Sequence, residues 1–424
     1  MDEMSIQYNT SQPTNKPPKT VYILGAGFSQ PACVPLQKEI IGEILKLRDE
    51  NFGEKDELIK LYLHELESFL ENELFIKRAD FGNIALEDIF TPIDRCIIDG
   101  ISFRSHDSKD LVELREKIYS LIIIAIINKL ESSRTSSQSS YIEDFAKYLV
   151  TQMKPRMKDK DHDPVSVIST NWDILLDNFI KSAIKQGANI GVIDDGVDGV
   201  VDYCCYISSL PQEDKTEDGT IKPGLWALGK GGYNVKLLKL HGSMNWLNCP
   251  KCQRLFVAFH EKIAEYGIYK DKQCHHCAKN FKEENADSST LRSDLIMPTF
   301  LKDLTNFQIK LIWQNAGVEL SEASKIVFIG YSLPQADYEL RQLLARMIRH
   351  EAEIEVVLQS EDIEDIEDID KRTKIKKSYE EILKEQTNIK DSNADILKRY
   401  RTFFGKRKVT PIPKGVVNYI KTLR

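Results

Sequence analysis

The sequence predicts an α/β fold in which a doubly wound parallel sheet carries helices on both faces. Helical patterns separate near-continuous aliphatic or β-branched runs at residues 21–24, 165–170, 235–240, 326–329 and 354–359. Runs of this kind, without alternation, are typical of parallel strands that are buried on both faces. We therefore expect a Rossmann-like sheet that binds its ligand beyond the carboxyl ends of the strands.

Size and charge narrow the class of protein. The chain has 424 residues, with 58 basic and 65 acidic side chains and a net charge of −7. A chain of this length buries a sizeable core, in one large domain or in several smaller ones. The net negative charge provides no overall attraction to nucleic acid or to an anionic membrane, so we expect no direct nucleic-acid binding, although the net charge does not exclude a local basic patch.

The most apolar segment, residues 121–127, is far shorter than the roughly 20 residues that span a bilayer. We expect a cytoplasmic protein.

Composition also suggests how the chain is divided. Residues 1–19 are polar and contain several prolines, and we expect a disordered tail there. Residues 20–360 contain the predicted strands and form the expected main domain. Within it, residues 55–160 follow helical patterns almost throughout, which predicts a helical insertion. Residues 361–424 begin with a run of acidic residues, and we expect a charged helical C-terminal extension.

Four cysteines form two pairs with the spacing of metal ligands. Cys249 and Cys252 make one C-x-x-C, Cys274 and Cys277 make another, and 21 residues separate the pairs. Two such pairs complete a tetrahedral zinc site with no open position, so the zinc is expected to be structural and to hold a small module at 245–282. The alternative is unrelated thiols or disulfides, and disulfides are rare inside cells.

The predicted strands end in polar or glycine-bearing clusters. G-A-G-F-S follows the first strand, T-N-W-D the second, H-G-S-M-N-W the third and G-Y-S-L-P the fourth. Carboxyl ends of parallel strands meet at one edge of the sheet, so we expect these clusters to form one site. In this order, with the four-cysteine module directly after the histidine, they resemble the sirtuins, which bind NAD between a doubly wound domain and a smaller zinc-bearing one. The resemblance covers about residues 20–360 and implies NAD as the substrate.

The first cluster would hold the pyrophosphate of NAD. The resemblance implies contacts from Ala26, Gly27 and Ser29, with Gly25 in the same binding loop. Taken alone, the glycines have a second reading as a simple turn, because glycine accepts positive φ without steric cost. The third glycine of the dinucleotide fingerprint G-x-G-x-x-G is replaced by Gln30, so the short motif by itself leaves both readings open.

The other clusters would supply the chemistry. By the resemblance, Asn171 and Asp173 bind the nicotinamide ribose end, His241 is the catalytic base, and Gly330 and Ser332 approach the adenosine phosphate side. An amide can hold water or a ribose hydroxyl without titrating, and an imidazole with a pKa of about 6.5 can accept a proton at neutral pH. Each residue also has a structural reading, Asn171 as a helix cap and His241 as a core histidine.

Departures from the deacylating sirtuins suggest a different activity. Those enzymes usually carry G-I-P-D-F-R after the glycine loop and F-G-E where the acylated lysine is threaded, whereas this chain has V-P-L-Q-K at 34–38 and L-I-M-P-T-F at 295–300. The glutamine that usually precedes the catalytic asparagine is Thr170, and the asparagine that contacts adenosine corresponds to Gln359. The peptide-threading residues are lost while the glycosidic machinery is retained, which argues against deacylation.

Short motifs point to a subgroup of the family. I-M-P-T-F, G-Y-S-L-P-Q-A-D and the L-E-D-I-F of the helical insertion resemble divergent bacterial sirtuin-like NAD hydrolases of antiviral defence systems. This resemblance implies an NAD glycohydrolase that releases nicotinamide and ADP-ribose when triggered, with the insertion over the NAD cleft. It also implies a partner such as a HerA-type ATPase or another defence sensor.

Two further questions stay open at the level of sequence. Residues 121–127 are apolar on every side and must be buried, either within the chain or against another subunit, and we expect a homo-oligomer formed through the insertion. The alternative activities are an NAD-dependent protein deacylase and a sensor that binds NAD or ADP-ribose without turning it over. A sensor would have no need for both Asn171 and His241.

Overall fold

The computed structural model describes residues 18–133, 137–188, 199–210, 220–221, 224–259, 268, 272–281, 289–297, 299–302, 304–359 and 392–423. The predicted disordered tail lies outside these residues except for its last two positions. The acidic run at 361–370 also lies outside them. Within the described part of the chain, no helix combines the length and the apolar character needed to cross a bilayer.

Strands and helices alternate along most of the chain. The strands are β1 (Thr20–Leu24), β2 (Val165–Ser169), β3 (Gly199–Asp202), β4 (Ile207–Ser209), β5 (Thr220–Ile221), β6 (Tyr233–Lys239), β7 (Gly242–Asn248), β8 (Leu255–Val257), β9 (Arg292–Leu295), β10 (Lys325–Ile329), β11 (Glu353–Val357) and β12 (Val409–Ile412). The helices are α1 (Ala26–Ser29), α2 (Ile40–Lys46), α3 (Asp56–Ser68), α4 (Leu86–Asp99), α5 (Ser108–Ser133), α6 (Ser140–Met153), α7 (Leu175–Ala188), α8 (Gly224–Gly229), α9 (His275–Asn280), α10 (Phe307–Glu322), α11 (Tyr338–Met347), α12 (Ser392–Phe404) and α13 (Gly415–Lys421).

The main sheet confirms the predicted doubly wound architecture. Its strand order is β12-β11-β10-β1-β2-β6-β3, and all neighbouring strands are parallel. From β1 the chain builds outward through β2 and β6, then returns to the other side of β1 at β10. The order therefore reverses between β1 and β10, and open α/β sheets bind ligands at such a reversal.

The helical insertion is present, and its most apolar segment is buried within the chain. In α5, residues 121–126 are each no more than 6% exposed, so of the two alternatives for this segment the structure shows burial in the protein itself. The last helix of the predicted helical block, α6, packs on the sheet instead, with the Phe145 ring centroid 5.2 Å from that of Tyr22. The helical pattern at 55–160 thus contains the helices of the insertion and, in addition, α6, which packs against the main sheet.

The end of the chain differs from the expected charged extension. In its described part, β12 pairs in parallel with β11 and adds an edge strand to the main sheet. Helix α12 buries Leu397 and Tyr400, which are 1% and 0% exposed, and the Tyr400 ring centroid lies 4.8 Å from that of Phe328 in β10. A four-residue strand that contains Pro411 gives little strand signal, and the charged residues of α12 mask its narrow apolar face.

A second, smaller sheet carries the four cysteines. Its strand order is β5-β4-β8-β7-β9, and β7 begins directly after His241 at the end of β6. A separate small core at its far end consists of Leu247, Cys249, Phe256, Cys274, Cys277 and Leu291. The predicted small module is therefore present, attached to the main sheet through the segment that carries the histidine.

Candidate active site

A cleft of about 590 Å³ opens beyond the carboxyl ends of the central strands. It lies at the reversal of strand order and takes residues from the loops after β1, β2, β6, β10 and β11. Its walls include most of the residues singled out by the sequence, namely Ala26, Gly27, Asn171, Asp173, His241, Gly330 and Ser332. Gly25 and Ser29 do not line it themselves but flank the residues that do, since Gly25 precedes α1 and Ser29 ends it. The structure thus brings these strand-end clusters together at one cleft.

Glycines allow the loops after β1 and β10 to touch. A Cβ added to Gly25 would lie 2.6 Å from the carbonyl oxygen of Gly330, and one added to Gly330 would lie 2.0 Å from the amide nitrogen of Phe28. Gly330 has a φ of 63°, and the Gly27 amide donates to its carbonyl oxygen at 2.9 Å. Close approach of two loops therefore requires these glycines, whether or not a phosphate binds beside them.

Asn171 is held in place on one side and is unpaired on the other. Its side-chain Nδ2 donates to Ser29 Oγ at 3.1 Å, and its buried Oδ1 has no hydrogen-bond partner among the described residues. The helix-cap reading does not apply, because the amide of Leu175 at the start of α7 donates its hydrogen bond to Asp173 Oδ1 at 3.1 Å. A buried acceptor without a partner is costly, so this oxygen is suited to a ligand or a water molecule.

Asp173 is supported by a buried ionic cluster that the sequence did not reveal. The Lys239 ammonium donates to the backbone carbonyl of Asp173 at 2.5 Å and to Asp177 Oδ2 at 3.3 Å. Tyr203 donates its hydroxyl proton to Asp177 Oδ1 at 2.6 Å. Burial raises the pKa of the Asp173 carboxyl, although the charge of Lys239 opposes this. A lysine within an apolar strand run gives no signal of its own, yet here it fixes the T-N-W-D loop.

His241 lies in the cleft wall against a buried carboxylate. Its Nε2 is 3.3 Å from Asp337 Oδ1, and Asp337 is 1% exposed. Two more groups reach the same carboxylate, since Tyr331 donates to Oδ2 at 2.6 Å and Lys302 Nζ lies 2.9 Å from Oδ1. Burial opposes ionisation of Asp337, but His241 and Lys302 outweigh it and hold its pKa well below the usual range. His241 is therefore hydrogen-bonded, as the core reading requires, and also open to the cleft.

The far wall of the cleft comes from the end of the chain. Asn393, Asp395 and Arg399 of α12 line it, and Arg399 donates to the carbonyl oxygen of Ser332 at 3.2 Å. Gln359, which stands where an adenosine-contacting asparagine was expected, also lines the cleft. The sequence did not identify the residues of α12, because they follow the last strand that it predicted.

The helical insertion also reaches the cleft. Ala85, Glu87 and Ile126 line it, together with residues 34–38, the stretch that replaces G-I-P-D-F-R. Glu87 belongs to the L-E-D-I-F motif at 86–90. The insertion is thus part of the cleft wall.

The four cysteines fit a tetrahedral zinc ion. The Sγ atoms of Cys249 and Cys277 are 3.8 Å apart, and those of Cys252 and Cys274 are 3.7 Å apart. All four sulfur atoms lie within 4.8 Å of one another. A tetrahedron with Zn–S bonds of about 2.3 Å has sulfur atoms separated by about 3.8 Å. Three of the cysteines are fully buried and the fourth is half-buried, which suits a closed site away from the cleft.

Comparisons with known proteins find similarity in structure but not in sequence. No protein-family model matches the chain, and no curated protein matches it. A mutant Sir2 homologue in complex with ADP-ribose has a TM-score of 0.34 and 11% identity, over 87% of this chain and 95% of that one. A sirtuin structure concerned with substrate affinity has a TM-score of 0.29 and 13% identity, over 85% and 93% of the two chains. Sir2Tm bound to a propionylated peptide has a TM-score of 0.28 and 12% identity over the same shares. These values are too low to transfer residue roles, so roles must come from the geometry of this chain.

Proposed function

We propose that this chain is a sirtuin-like NAD glycohydrolase that cleaves NAD to nicotinamide and ADP-ribose. One observation carries the proposal. The unpaired Oδ1 of Asn171 and the imidazole of His241 belong to one cleft, at the carboxyl ends of the adjacent strands β2 and β6. An acceptor that does not titrate and a group that can take a proton are the two functions that this cleavage requires.

The chemistry needs orientation more than a strong nucleophile. The bond between nicotinamide and ribose breaks through an oxocarbenium-like state, in which nicotinamide leaves as a neutral base with the bonding electron pair. Water then adds to the ribose carbon and loses a proton. Asn171 Oδ1 would accept a hydrogen bond from the water or from a ribose hydroxyl, and His241 would take the proton. Buried Asp173 lines the same cleft.

The rest of NAD would extend along the cleft toward α12. The pyrophosphate would lie against Ala26, Gly27 and Ser29, where a backbone without a Cβ at position 27 permits close approach. The adenosine phosphate side would face Gly330 and Ser332. In this direction nicotinamide would lie beside His241 and the adenosine beside α12.

Backbone pairing after the zinc module favours hydrolysis over deacylation. The amide of Ile296 donates to the carbonyl oxygen of His241 at 2.9 Å, and its carbonyl accepts from Trp172 Nε1 at 3.3 Å. Both backbone groups of Ile296 are therefore used within the chain. An acylated peptide that added to this segment by strand pairing would have to displace them.

Product analysis tests the proposal directly. The protein would be incubated with NAD, with and without an acylated lysine peptide, and the products identified by mass spectrometry. We expect nicotinamide and free ADP-ribose in both cases. O-acyl-ADP-ribose formed only with the peptide would assign deacylation instead. NAD that stays bound and unchanged even with the co-expressed HerA-type ATPase would assign a sensor.

The proposal includes a triggered role in bacterial antiphage defence, in the cytoplasm where NAD is the target. Its support is the resemblance of residues 86–90 and 330–337 to defence proteins, together with Glu87 on the cleft wall. Residues 121–126 are buried within the chain, so they no longer give a reason to expect oligomers. The homo-oligomer and the partner, a HerA-type ATPase or another sensor, are therefore proposed from the resemblance.

Mass photometry and NADase assays of the protein alone and with a co-expressed HerA-type ATPase test this part. A monomer that hydrolyses NAD at full rate alone would refute it.

A further inference from the structure

A buried carboxylate behind His241 is not explained by the proposed reaction alone. Asp337 is contacted by three groups from three separate parts of the chain. His241 follows β6, Tyr331 follows β10, and Lys302 lies between β9 and α10. Their distances to the carboxylate are 3.3, 2.6 and 2.9 Å. The Lys302 side chain is itself 0% exposed, so the cluster is enclosed.

The position of Asp337 at the start of α11 predicts that its side chain caps this helix. It occupies the N-cap position of α11, where an aspartate usually accepts hydrogen bonds from the first amides of the helix. Its side chain makes no such bond. The carboxylate is directed at His241, Tyr331 and Lys302 instead, and the helix lacks a side-chain cap at this position.

We propose that Asp337 is a positioning residue that holds the His241 ring with Nε2 protonated, which leaves Nδ1 as the ring nitrogen that accepts a proton during catalysis. This inference rests on the proposed function for its catalytic meaning. The tautomer of His241 does not depend on the proposed function, because it is a property of one side chain that can be measured without NAD.

The assignment of the proton follows from the other partners of the carboxylate. An ionised carboxylate can only accept hydrogen bonds. Tyr331 and Lys302 both donate to Asp337, and a proton on the carboxyl would compete with them. The contact between His241 and Asp337 is therefore a hydrogen bond only if Nε2 carries the hydrogen. A histidine whose second nitrogen is held by a carboxylate keeps a fixed tautomer and ring orientation.

Nitrogen NMR tests the tautomer without any need for activity. The chain has 8 histidines, and the signals of His241 are those that disappear in full-length His241→Ala. With ¹⁵N-labelled histidine at pH 8, we expect a protonated Nε2 and an unprotonated Nδ1 in the wild type, and a shift toward the Nδ1-protonated form in Asp337→Asn. The same tautomer in both proteins, or a wild type protonated on Nδ1 or on both nitrogens, would overturn the proposal.

Kinetics test whether Asp337 acts through His241. We expect Asp337→Asn to lower kcat for nicotinamide release on the order of 100-fold, with KM within about threefold of the wild type since no contact of Asp337 with NAD is proposed. In a His241→Ala background, Asp337→Asn should change the residual rate by less than about threefold, because the two residues act as a unit. Independent, multiplying losses would show that Asp337 does not act through the histidine.

A matched variant separates positioning from general damage to the fold. Asp163 is another partly buried carboxylate held by lysines, with Lys19 at 2.8 Å and Lys236 at 2.7 Å, but it precedes β2 at the opposite edge of the sheet. Asp163→Asn should lower the melting temperature and leave kcat and the His241 signals unchanged. Equal loss of kcat in both variants would mean that Asp337→Asn acts through stability. A wild type that releases no nicotinamide, either alone or with the co-expressed HerA-type ATPase, would refute the proposed function, while the tautomer result would still decide the role of Asp337.

Discussion

Asn171 donates to Ser29 Oγ at 3.1 Å, while its own Oδ1 is buried and unpaired among the described residues. The hydroxyl after β1 thus orients the amide after β2, and the free oxygen is directed by a contact that involves no ligand. We predict that Asn171→Ala lowers nicotinamide release at least about 100-fold. Ser29→Ala removes the contact that orients Asn171 and a hydrogen bond to Asp173 but keeps the Asn171 amide, so it should lower the rate about 10-fold.

Neither variant should change the melting temperature by more than a few degrees, because the lost contacts do not hold core elements together. Initial rates of nicotinamide release and thermal unfolding of each purified variant are the measurements. A Ser29→Ala protein that is more impaired than Asn171→Ala would contradict this order of roles.

His241→Ala is predicted to reduce nicotinamide release to a small residual rate and to leave the protein folded. The Asp337 carboxylate keeps hydrogen bonds from Tyr331 and Lys302 when the imidazole is removed, so no buried charge is left without a partner. Circular dichroism and NAD binding by calorimetry would accompany the rate measurement. Wild-type activity in the variant would remove His241 from the mechanism.

The main sheet was predictable because of the chemistry of its strands. In β2, for example, all five residues are buried, and a strand buried on both faces forms a near-continuous apolar run, which in β2 is interrupted by Ser166 and Ser169. The strand β12 was not predictable in this way. It is an edge strand of four residues that contains Pro411, and its half-buried positions do not need an apolar run.

The site was predictable only where it follows a strand. Asn171 and His241 come directly after β2 and β6, so the end of an apolar run marks them. Asp337 meets His241 across 96 residues of sequence, and Lys302 lies in a segment without a periodic pattern. Contacts of that kind depend on how loops fold back over the sheet, which no local spacing encodes.

Zinc is predicted to hold the small module together. Cys249→Ser and Cys277→Ser should each lower the bound zinc and the melting temperature together, because metal binding contributes directly to the folding free energy of such modules. Cys33→Ser is the control, since this cysteine lies outside the cluster and should leave the zinc content unchanged. The measurements are the zinc content of each variant by mass spectrometry and its melting temperature. A Cys277→Ser protein that lost zinc but kept its melting temperature would argue against a structural role.

Acid stability should depend on Asp163. Burial opposes its ionisation, but Lys236 and Lys19 outweigh this and lower its pKa to about 2. The folded-state pKa is below the unfolded value of about 3.9, so the stabilisation is present above pH 4 and is lost as the pH falls toward 2. The expected contribution at neutral pH is about 2 kcal/mol.

Asp163→Asn should therefore lower the free energy of unfolding at pH 7 and flatten its dependence on pH between about 4 and 2. Urea unfolding at several pH values measures both effects. A variant whose unfolding free energy falls with acid as steeply as that of the wild type would show that other carboxylates control this range.

Helix α12 is predicted to be an integral part of the main domain. Leu397 is 1% exposed, and replacing a buried leucine with alanine costs about 2–5 kcal/mol. Tyr400 donates its hydroxyl proton to the carbonyl oxygen of Tyr331 at 2.7 Å, so Tyr400→Phe should cost about 1 kcal/mol. Lys398→Ala, at an exposed position of the same helix, is the matched control and should not change the free energy of unfolding.

Urea unfolding of the three variants gives the free energies, and NAD affinity reports on the cleft, because Tyr331 and Arg399 line its wall. If Leu397→Ala unfolded with the same free energy as Lys398→Ala, the end of the chain would be a separable extension, as its charged sequence first suggested.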